Sequence, residues 1–411
     1  MTFEVRAPEQ EELAAFFSVN SIAFGRQLNP ERVEGGMRFA ERERLLGAFD
    51  DGRCIGSAGA FRFDLSVPGG SLSCAGVTWV GVLPTDRRRG VLTALMTEQL
   101  RRVRAWGEPI AALWASEAPI YGRFGYGLAT EHFDEVRLAR VHGRLRGHPA
   151  ARGKPRLVTR EEALAAWPAV WEAVRGQRAG LHTRSAAWWE ERGVPAQERE
   201  EPGWSKDFFV SLEADGATIG YARYRVRGEW EHGLPAGEVA VHELLGIDGG
   251  AEAALWEYIL GVDLVDRVTA YRRPLDETLL HLLEDPRRAV RRPSDALFCR
   301  VLDPAAALEG RRYAGEGRLV LEVADDFGGY AAGRFALEAG PGGARCRATG
   351  GSGRPRAGRG RAGQPALRAG ERARALAGRA HRGQRGGGAG GRCALPLAAG
   401  AVGAGGLVGP G

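Results

Sequence analysis

The sequence predicts an α+β protein of two tandem, similarly patterned halves, followed by an incomplete third segment and a low-complexity tail. Three observations lead there. A hairpin, strand and helix pattern occurs twice along the chain, a charged strand-to-helix joint occurs only in the first copy, and the last 63 residues change composition abruptly. A chain of 411 residues also exceeds what one core usually serves, so two or three domains are expected.

In chain order, residues 45–63, LLGAFDDGRCIGSAGAFRF, read as a strand, an Asp-Gly turn and a second strand. Val77, Thr78, Val80 and Val82 suit a further strand, which Pro84 stops. Arg87 to Arg89 then run into Gly90, and Val91, Leu92, Leu95 and Met96 follow at helical spacing. Next, ALWASEAPIYGRFGYG gives an apolar strand, a break at Ser116 and Glu117, and a short aromatic helix. Arg140 to Pro155, rich in Arg, Gly, Pro and His, reads as a linker. Trp167 and Trp171, four residues apart, form a packed helix face; Trp188 and Trp189 follow as core or interface. Residues 208–226 repeat the hairpin with the same turn, and GEVAVHELLGI then AEAALWEYILGV repeat the strand and helix. Where the first copy has RRRGVLTA, the second has GGAEAALW, so one active and one structural half are expected. From Leu302, GRLVLEVADDFGGYAAGRFALEA patterns as another hairpin before the tail begins.

The tail from Thr349 holds 20 Gly, 14 Ala and 11 Arg, and no aromatic residue. Such a segment cannot bury a core and is expected to be disordered. Its dominant residues, Gly, Ala, Arg and Pro, are those whose codons can be written with only G and C, so a frameshift near residue 348 is the expected origin. Eleven arginines against Glu371 give the tail a net +10; of the chain's +6, residues 1–348 therefore carry −4. The global charge thus implies no nucleic-acid partner. An Arg/Gly arm for nucleic acid would interleave aromatics for stacking, and this one has none. No apolar run reaches the roughly 18 residues of a membrane span. The amino terminus, MTFEVRAPEQEELAAFF, carries acids where a signal peptide is basic, so a cytoplasmic location is expected. Five single cysteines and no paired histidine spacing imply no metal, and a P-loop is excluded by the lack of Gly-Lys-Ser/Thr.

The joint is suited to a diphosphate. The first N–H groups of a helix lack internal partners and sit at its positive end. Gly90 lets backbone approach closely, Arg88 and Arg89 add charge-assisted hydrogen bonds, and Val91, Leu92 and Thr93 supply amides. Val80, Gly81 and Val82 offer strand edges to an extended ligand. A pyrophosphate at one end and an amide-bearing arm at the other describe coenzyme A.

These residues resemble the GNAT acetyltransferase family, whose cofactor loop reads Arg/Gln-x-x-Gly-x-Gly/Ala after a splayed strand: Arg87 and Gly90 match, and Leu92 replaces the small last residue. Together with the duplication, Val-x-Val, Arg-Arg-Arg-Gly-Val-Leu, Ala-Ser-Glu and Ile-Tyr-Gly-Arg-Phe-Gly-Tyr-Gly resemble the enhanced intracellular survival (Eis) type over residues 1 to about 345. The resemblance implies a catalytic GNAT domain at 1–150, a degenerate GNAT-like domain at 151–300 and an incomplete sterol-carrier-like domain at 301–348, with the tail at 349–411. It further implies acetyl-CoA as cosubstrate, amine acceptors such as aminoglycosides or lysine side chains, direct attack in a ternary complex, and a homohexamer. By motif position Tyr121 is the proton donor to the leaving thiolate, with Tyr126 competing, and Ser116 and Glu117 give a second cofactor contact. A phenol of pKa about 10 keeps its proton beside a thiol of about 8.5. Glu117 is a candidate base; in the Eis type the base is the terminal carboxylate, here that of Gly411, so a catalytically impaired acetyl-CoA binder is an alternative. A lipid or sterol binder acting through the third domain is another. Phe16, Phe17 and Phe24 line an acceptor pocket or pack an early amphipathic helix; the residues leave both open.

Overall fold

The computed structural model describes residues 3–27, 30–38, 40–146, 152–196 and 201–349. The expectations placed on the tail from 350 onward, namely disorder, a frameshifted origin and the Gly411 carboxylate, lie outside the described residues.

The chain opens with β1 (Glu4–Arg6), α1 (Leu13–Ala23), α2 (Pro30–Met37), β2 (Leu45–Asp50), β3 (Arg53–Val67) and β4 (Gly70–Val82). It continues with α3 (Val91–Ala105), β5 (Ile110–Trp114), α4 (Ala118–Gly122) and β6 (Gly127–Leu128). The next stretch holds β7 (Glu131–Ala139), β8 (Lys154–Val158), α5 (Arg160–Arg175), the short α6 (Ala186–Trp188), β9 (Phe208–Ala214) and β10 (Ala217–Arg227). There follow β11 (Trp230–Glu231), β12 (Leu234–Pro235), β13 (Gly237–Gly246), α7 (Gly249–Leu260), β14 (Val265–Pro274), α8 (Thr278–Leu282) and β15 (Val290–Asp295). The end comprises β16 (Leu297–Val301), α9 (Pro304–Glu309), β17 (Gly317–Val323), β18 (Gly333–Gly340) and β19 (Gly343–Ala348).

Both expected hairpins form. Asp51-Gly52 and Asp215-Gly216 all have positive φ, 47° and 77° in the first turn and 51° and 78° in the second. That pair of left-handed residues matches the twist of the flanking strands. Each half builds a seven-stranded mixed sheet, ordered β1-β2-β3-β4-β5-β16-β6 and β8-β9-β10-β13-β14-β7-β15. The orders are equivalent, but the sixth strand of each sheet is exchanged: β7 pairs with β14 and β16 with β5. The compact units accordingly divide at Ala129/Thr130 and Ala296/Leu297, and the segment after Leu297 belongs with the first unit. The divisions expected at 150 and 300 thus do not coincide with these units: both strands are short amphipathic runs whose pairing depends on which sheet offers an edge. In the third segment β17, β18 and β19 form a small antiparallel sheet whose core joins Leu308 and Tyr313 to Phe335, Leu337 and Cys346.

Helix packing follows the apolar spacing. On α3, Val91, Leu95, Met96, Leu100 and Val103 are buried. On α5, Trp167 and Trp171 are both fully enclosed. Trp167 stacks on Tyr221 at 4.4 Å and donates to Ser211 Oγ at 3.0 Å, while Trp171 donates to the His182 carbonyl at 3.0 Å. Among the described residues no helix is long and apolar enough to cross a membrane. In the first unit Arg44 and Glu108, 1% and 3% exposed, pair at 2.8 Å, and Arg44 Nε also donates to the Ala60 carbonyl. Removing one member of such a pair strands the other charge. Glu108→Ala is expected to cost about 3–5 kcal/mol, read as a lower urea midpoint.

Candidate active site

Within the first sheet β4 and β5 meet in parallel only at Cys74↔Ile110, Ala75↔Ala111 and Gly76↔Ala112. Beyond Gly76 they part. β4 stays paired with β3 as far as Gly56↔Val82, and β5 stays paired with β16 through Leu297↔Trp114. The edge of β4 from Val77 to Val82 that faces β5 thus carries no strand partner among the described residues. A β-bulge aims this edge: Gly59 opposes Thr78 and Ser57 opposes Gly81, so Trp79 and Val80 share Ala58. Trp79 takes the strained φ of 50° and is clamped edge-on by Phe17 at 5.3 Å and Phe61 at 4.9 Å. Phe16 and Phe17 are therefore buried packing residues, while Phe24 is half-buried at the end of α1.

The charged joint begins where this edge ends. A single 3₁₀ turn, Pro84–Asp86, leads to Arg87–Arg89 and to Gly90, which precedes α3 with φ 84°. A side chain there would be strained, and the cap position carries no side-chain hydrogen bond, so the amides of Val91, Leu92 and Thr93 head the helix uncapped. Arg87 and Arg88 are exposed, Arg88 in the left-handed region at φ 63°. Arg89 points elsewhere: it donates to Asp86 at 2.5 Å and to Asp50 at 2.7 Å. Asp86, 2% exposed, also accepts from Arg53 and from Thr85. The Thr85 hydroxyl, then Arg89 and Arg53, hold its carboxyl below the usual range. Arg89, exposed like Arg87 and Arg88, has its guanidinium committed to the Asp50 and Asp86 carboxylates and so staples the loop.

The second half has the same strands and the opposite ending. The Asp248 carboxylate caps α7, accepting from the Ala251 amide at 2.8 Å. Beyond the parallel register of β13 and β14, which runs from Gly237 to Val241, Arg273 donates to the Leu244 carbonyl at 2.8 Å and to Glu277 at 2.5 Å. Trp256 donates to Glu277 as well. The amides and the strand edge that stand open in the first half are filled here by the chain's own side chains.

Past β5, Ser116 and Glu117 are exposed, and Glu117 precedes α4 as its N-cap residue. Tyr121, on α4, is 7% exposed; Tyr126 is 1% exposed, and its hydroxyl is enclosed without a partner. Their rings meet edge-on at 5.9 Å. Burial, and next the Glu117 carboxylate, push the Tyr121 phenol up to about 12, so it keeps its proton at neutral pH. Burial likewise pushes the Tyr126 phenol well above its ordinary value. The topology therefore gathers Val80, Gly81, Val82, Arg88, Gly90, Val91, Leu92 and Thr93 along one strand end and helix start, with Ser116, Glu117 and Tyr121 following the neighbouring strand. Sequence reasoning missed the Trp79 bulge, the Asp50/Asp86 staple and Asn20, whose Cα lies 3.4 Å from where a Gly81 Cβ would stand. Only the acid at 86, three residues before Arg89, gave a local signal.

A neutral phenol, an uncapped helix start and an open strand edge together suit transfer from a thioester carried on a diphosphate-bearing arm. Comparison with known proteins gives the family. The acetyltransferase (GNAT) domain profile matches residues 4–129, and a second acetyltransferase (GNAT) domain matches 180–301. An uncharacterised N-acetyltransferase of Streptomyces avermitilis is 40% identical over 351 residues, covering 84% of this chain and 85% of that protein. The N-acetyltransferase Eis of Mycobacterium tuberculosis is 35% identical over 361 residues, with 85% of each chain covered. The crystal structure of Eis1 from Mycobacterium abscessus superposes with a TM-score of 0.70 at 32% identity, covering 84% of both chains. A GCN5-related N-acetyltransferase from Anabaena variabilis shares the fold, with a TM-score of 0.73 at 18% identity over 85% of this chain and 86% of that one. With two GNAT domains in tandem and relatives matched along most of its length, the chain belongs to the GNAT N-acetyltransferases of the Eis type.

Proposed function

We propose that the first half transfers an acetyl group from acetyl-CoA to an amine in a ternary complex, and that the second half is structural. The observation that carries this reading is the contrast between the uncapped α3 and the Asp248-capped α7 at equivalent places. Acetyl-CoA supplies an activated acetyl thioester. The amides of Val91, Leu92 and Thr93, with Arg88, hold the diphosphate, and the Val80–Val82 edge pairs with the amide-bearing arm. Ser116 and Glu117 form a second contact from the end of β5. Tyr121 holds a proton for the departing thiolate, and the exposed Glu117 is the candidate among the described residues to take one from the incoming ammonium. In this reading Arg89 positions the loop through Asp50 and Asp86, and Arg88 carries the direct contact. The acceptors are amines of the aminoglycoside or lysine class, and a cytoplasmic homohexamer, with a partial sterol-carrier-like domain after Leu302, follows from the family resemblance.

Arg88→Ala is expected to raise the acetyl-CoA Kd about tenfold at low salt, and less at high salt because an exposed charge is screened. Titration calorimetry at two ionic strengths checks it. An unchanged Kd at low salt removes the arginine from the diphosphate site, and no measurable acetyl-CoA binding by the parent protein removes the function.

A further inference from the structure

The third segment reaches back to the turn that follows Tyr121. Arg300, on β16, is 2% exposed and donates through Nη2 to both oxygens of Asp325, at 2.8 and 2.6 Å, and to the Phe327 carbonyl at 2.8 Å. Asp325 also accepts from the amides of Phe327 at 3.2 Å and Ala331 at 2.9 Å. Its carboxylate is thus the hub of a closed loop. On the other side of the guanidinium lies Gly125, with φ 81°, where a Cβ would stand 2.5 Å from Arg300 Nη1. The Phe124 ring, 1% exposed, meets Phe327 edge-on at 5.0 Å. The same turn is tied to the donor, because the amides of Phe124 and Tyr126 both donate to the Tyr121 carbonyl, at 3.0 and 3.2 Å.

We propose that the loop from Asp325 to Ala331 is a positioning element of the transfer site: Asp325, through Arg300, and Phe327, through Phe124, set the turn that places the Tyr121 hydroxyl. The proposal rests on the reading of Tyr121 as donor. It assigns the segment after Leu302 a part in the chemistry of the first half that its own small core does not require. Proton transfer needs the donor within hydrogen-bond reach, and a displacement of about 1 Å is felt in kcat before it is felt in ligand affinity. The contacts proposed for the diphosphate on α3 and for the amide-bearing arm on β4 are main-chain groups and Arg88, none of them in this turn, so turnover should change more than binding.

The test compares Asp325→Asn, Phe327→Ala, the double variant Arg300→Met/Asp325→Leu and the control Glu309→Gln, which alters a hydrogen bond to the Cys346 amide elsewhere in the segment. For each full-length protein, kcat, the acceptor KM and the acetyl-CoA Kd are measured, with thermal melts to confirm folding. Positioning predicts that kcat falls about tenfold or more in Asp325→Asn and Phe327→Ala while the acetyl-CoA Kd stays within about twofold. It also predicts that the double variant, in which the buried charges are replaced together, folds stably without recovering kcat. Glu309→Gln keeps parental kcat. Should Asp325→Asn fail to fold, Phe327→Ala decides. Folded variants with parental kcat, or full recovery in the double variant, overturn the proposal. The two readings fail separately: an impaired Tyr121→Phe beside a parental Phe327→Ala sinks the brace alone, whereas a parental Tyr121→Phe beside an impaired Phe327→Ala sinks the donor assignment and leaves the brace acting on another group of the turn.

Discussion

Tyr121→Phe is expected to lower kcat by about 100- to 1,000-fold while leaving the acetyl-CoA Kd nearly unchanged. The substitution removes one oxygen from a buried ring packed against Tyr126 and keeps the shape of the core. What it takes away, on the proposed mechanism, is the proton for a thiolate leaving group. The competing phenol, Tyr126, is enclosed at 1% exposure and its hydroxyl meets no partner, so Tyr126→Phe should cost far less. Because burial holds the Tyr121 phenol near 12, the proton is retained across neutral pH and lost only as pH rises through that value. Its ionisation therefore should produce no alkaline fall in kcat between about pH 7 and pH 10. Steady-state rates across that window, with calorimetric Kd values for parent and variant, check both statements. Equal kcat values for Tyr121→Phe and the parent would remove Tyr121 from the reaction.

Gly90→Asp should abolish practical binding of acetyl-CoA, raising its Kd about 100-fold or more. Two costs add. A non-glycine residue at φ 84° is strained by about 1–2 kcal/mol, a cost that enters the Kd because the free loop relaxes from this conformation and binding must restore it. A carboxylate at the head of α3 would also accept from the leading amides, as Asp248 does from Ala251 in the second half, and repel a diphosphate. Each 1.4 kcal/mol is worth a factor of about ten, so roughly 3 kcal/mol reaches the expected loss. Gly90→Ala, with strain but no charge, should fall between. A smaller effect for Asp than for Ala would show that the helix start does not face an anion.

Much of this site is legible along the chain because its pieces are contiguous. Val80 to Thr93 holds the strand end, the charged joint and the helix start within fourteen residues, and each piece declares itself through local chemistry: β-branched residues for the edge, glycine for the left-handed cap, arginines for the anion. The asymmetry between the halves is equally visible, since the second helix start has an aspartate and no arginine. The division of labour among the three arginines is not. Arg89 pairs with Asp50, 39 positions earlier, and no local pattern tells which member of a charged triplet finds a distant carboxylate. The Trp79 bulge is hidden for the same reason, being a mismatch of register between two strands.

From sequence alone came the duplication, both Asp-Gly hairpins, the helix faces with Trp167 and Trp171, the family and the stretch proposed to meet the cofactor. These depend on periodicity, turn preference and short-range spacing, which a chain carries before it folds. Tertiary structure decided the exchange of β7 and β16 between the sheets, the filling of the second opening by Arg273, and the reach of Asp325 to the Tyr121 turn. Each of these joins residues far apart in the chain, where the outcome rests on which open edge or unpaired buried charge is available, and that competition exists only in the packed molecule.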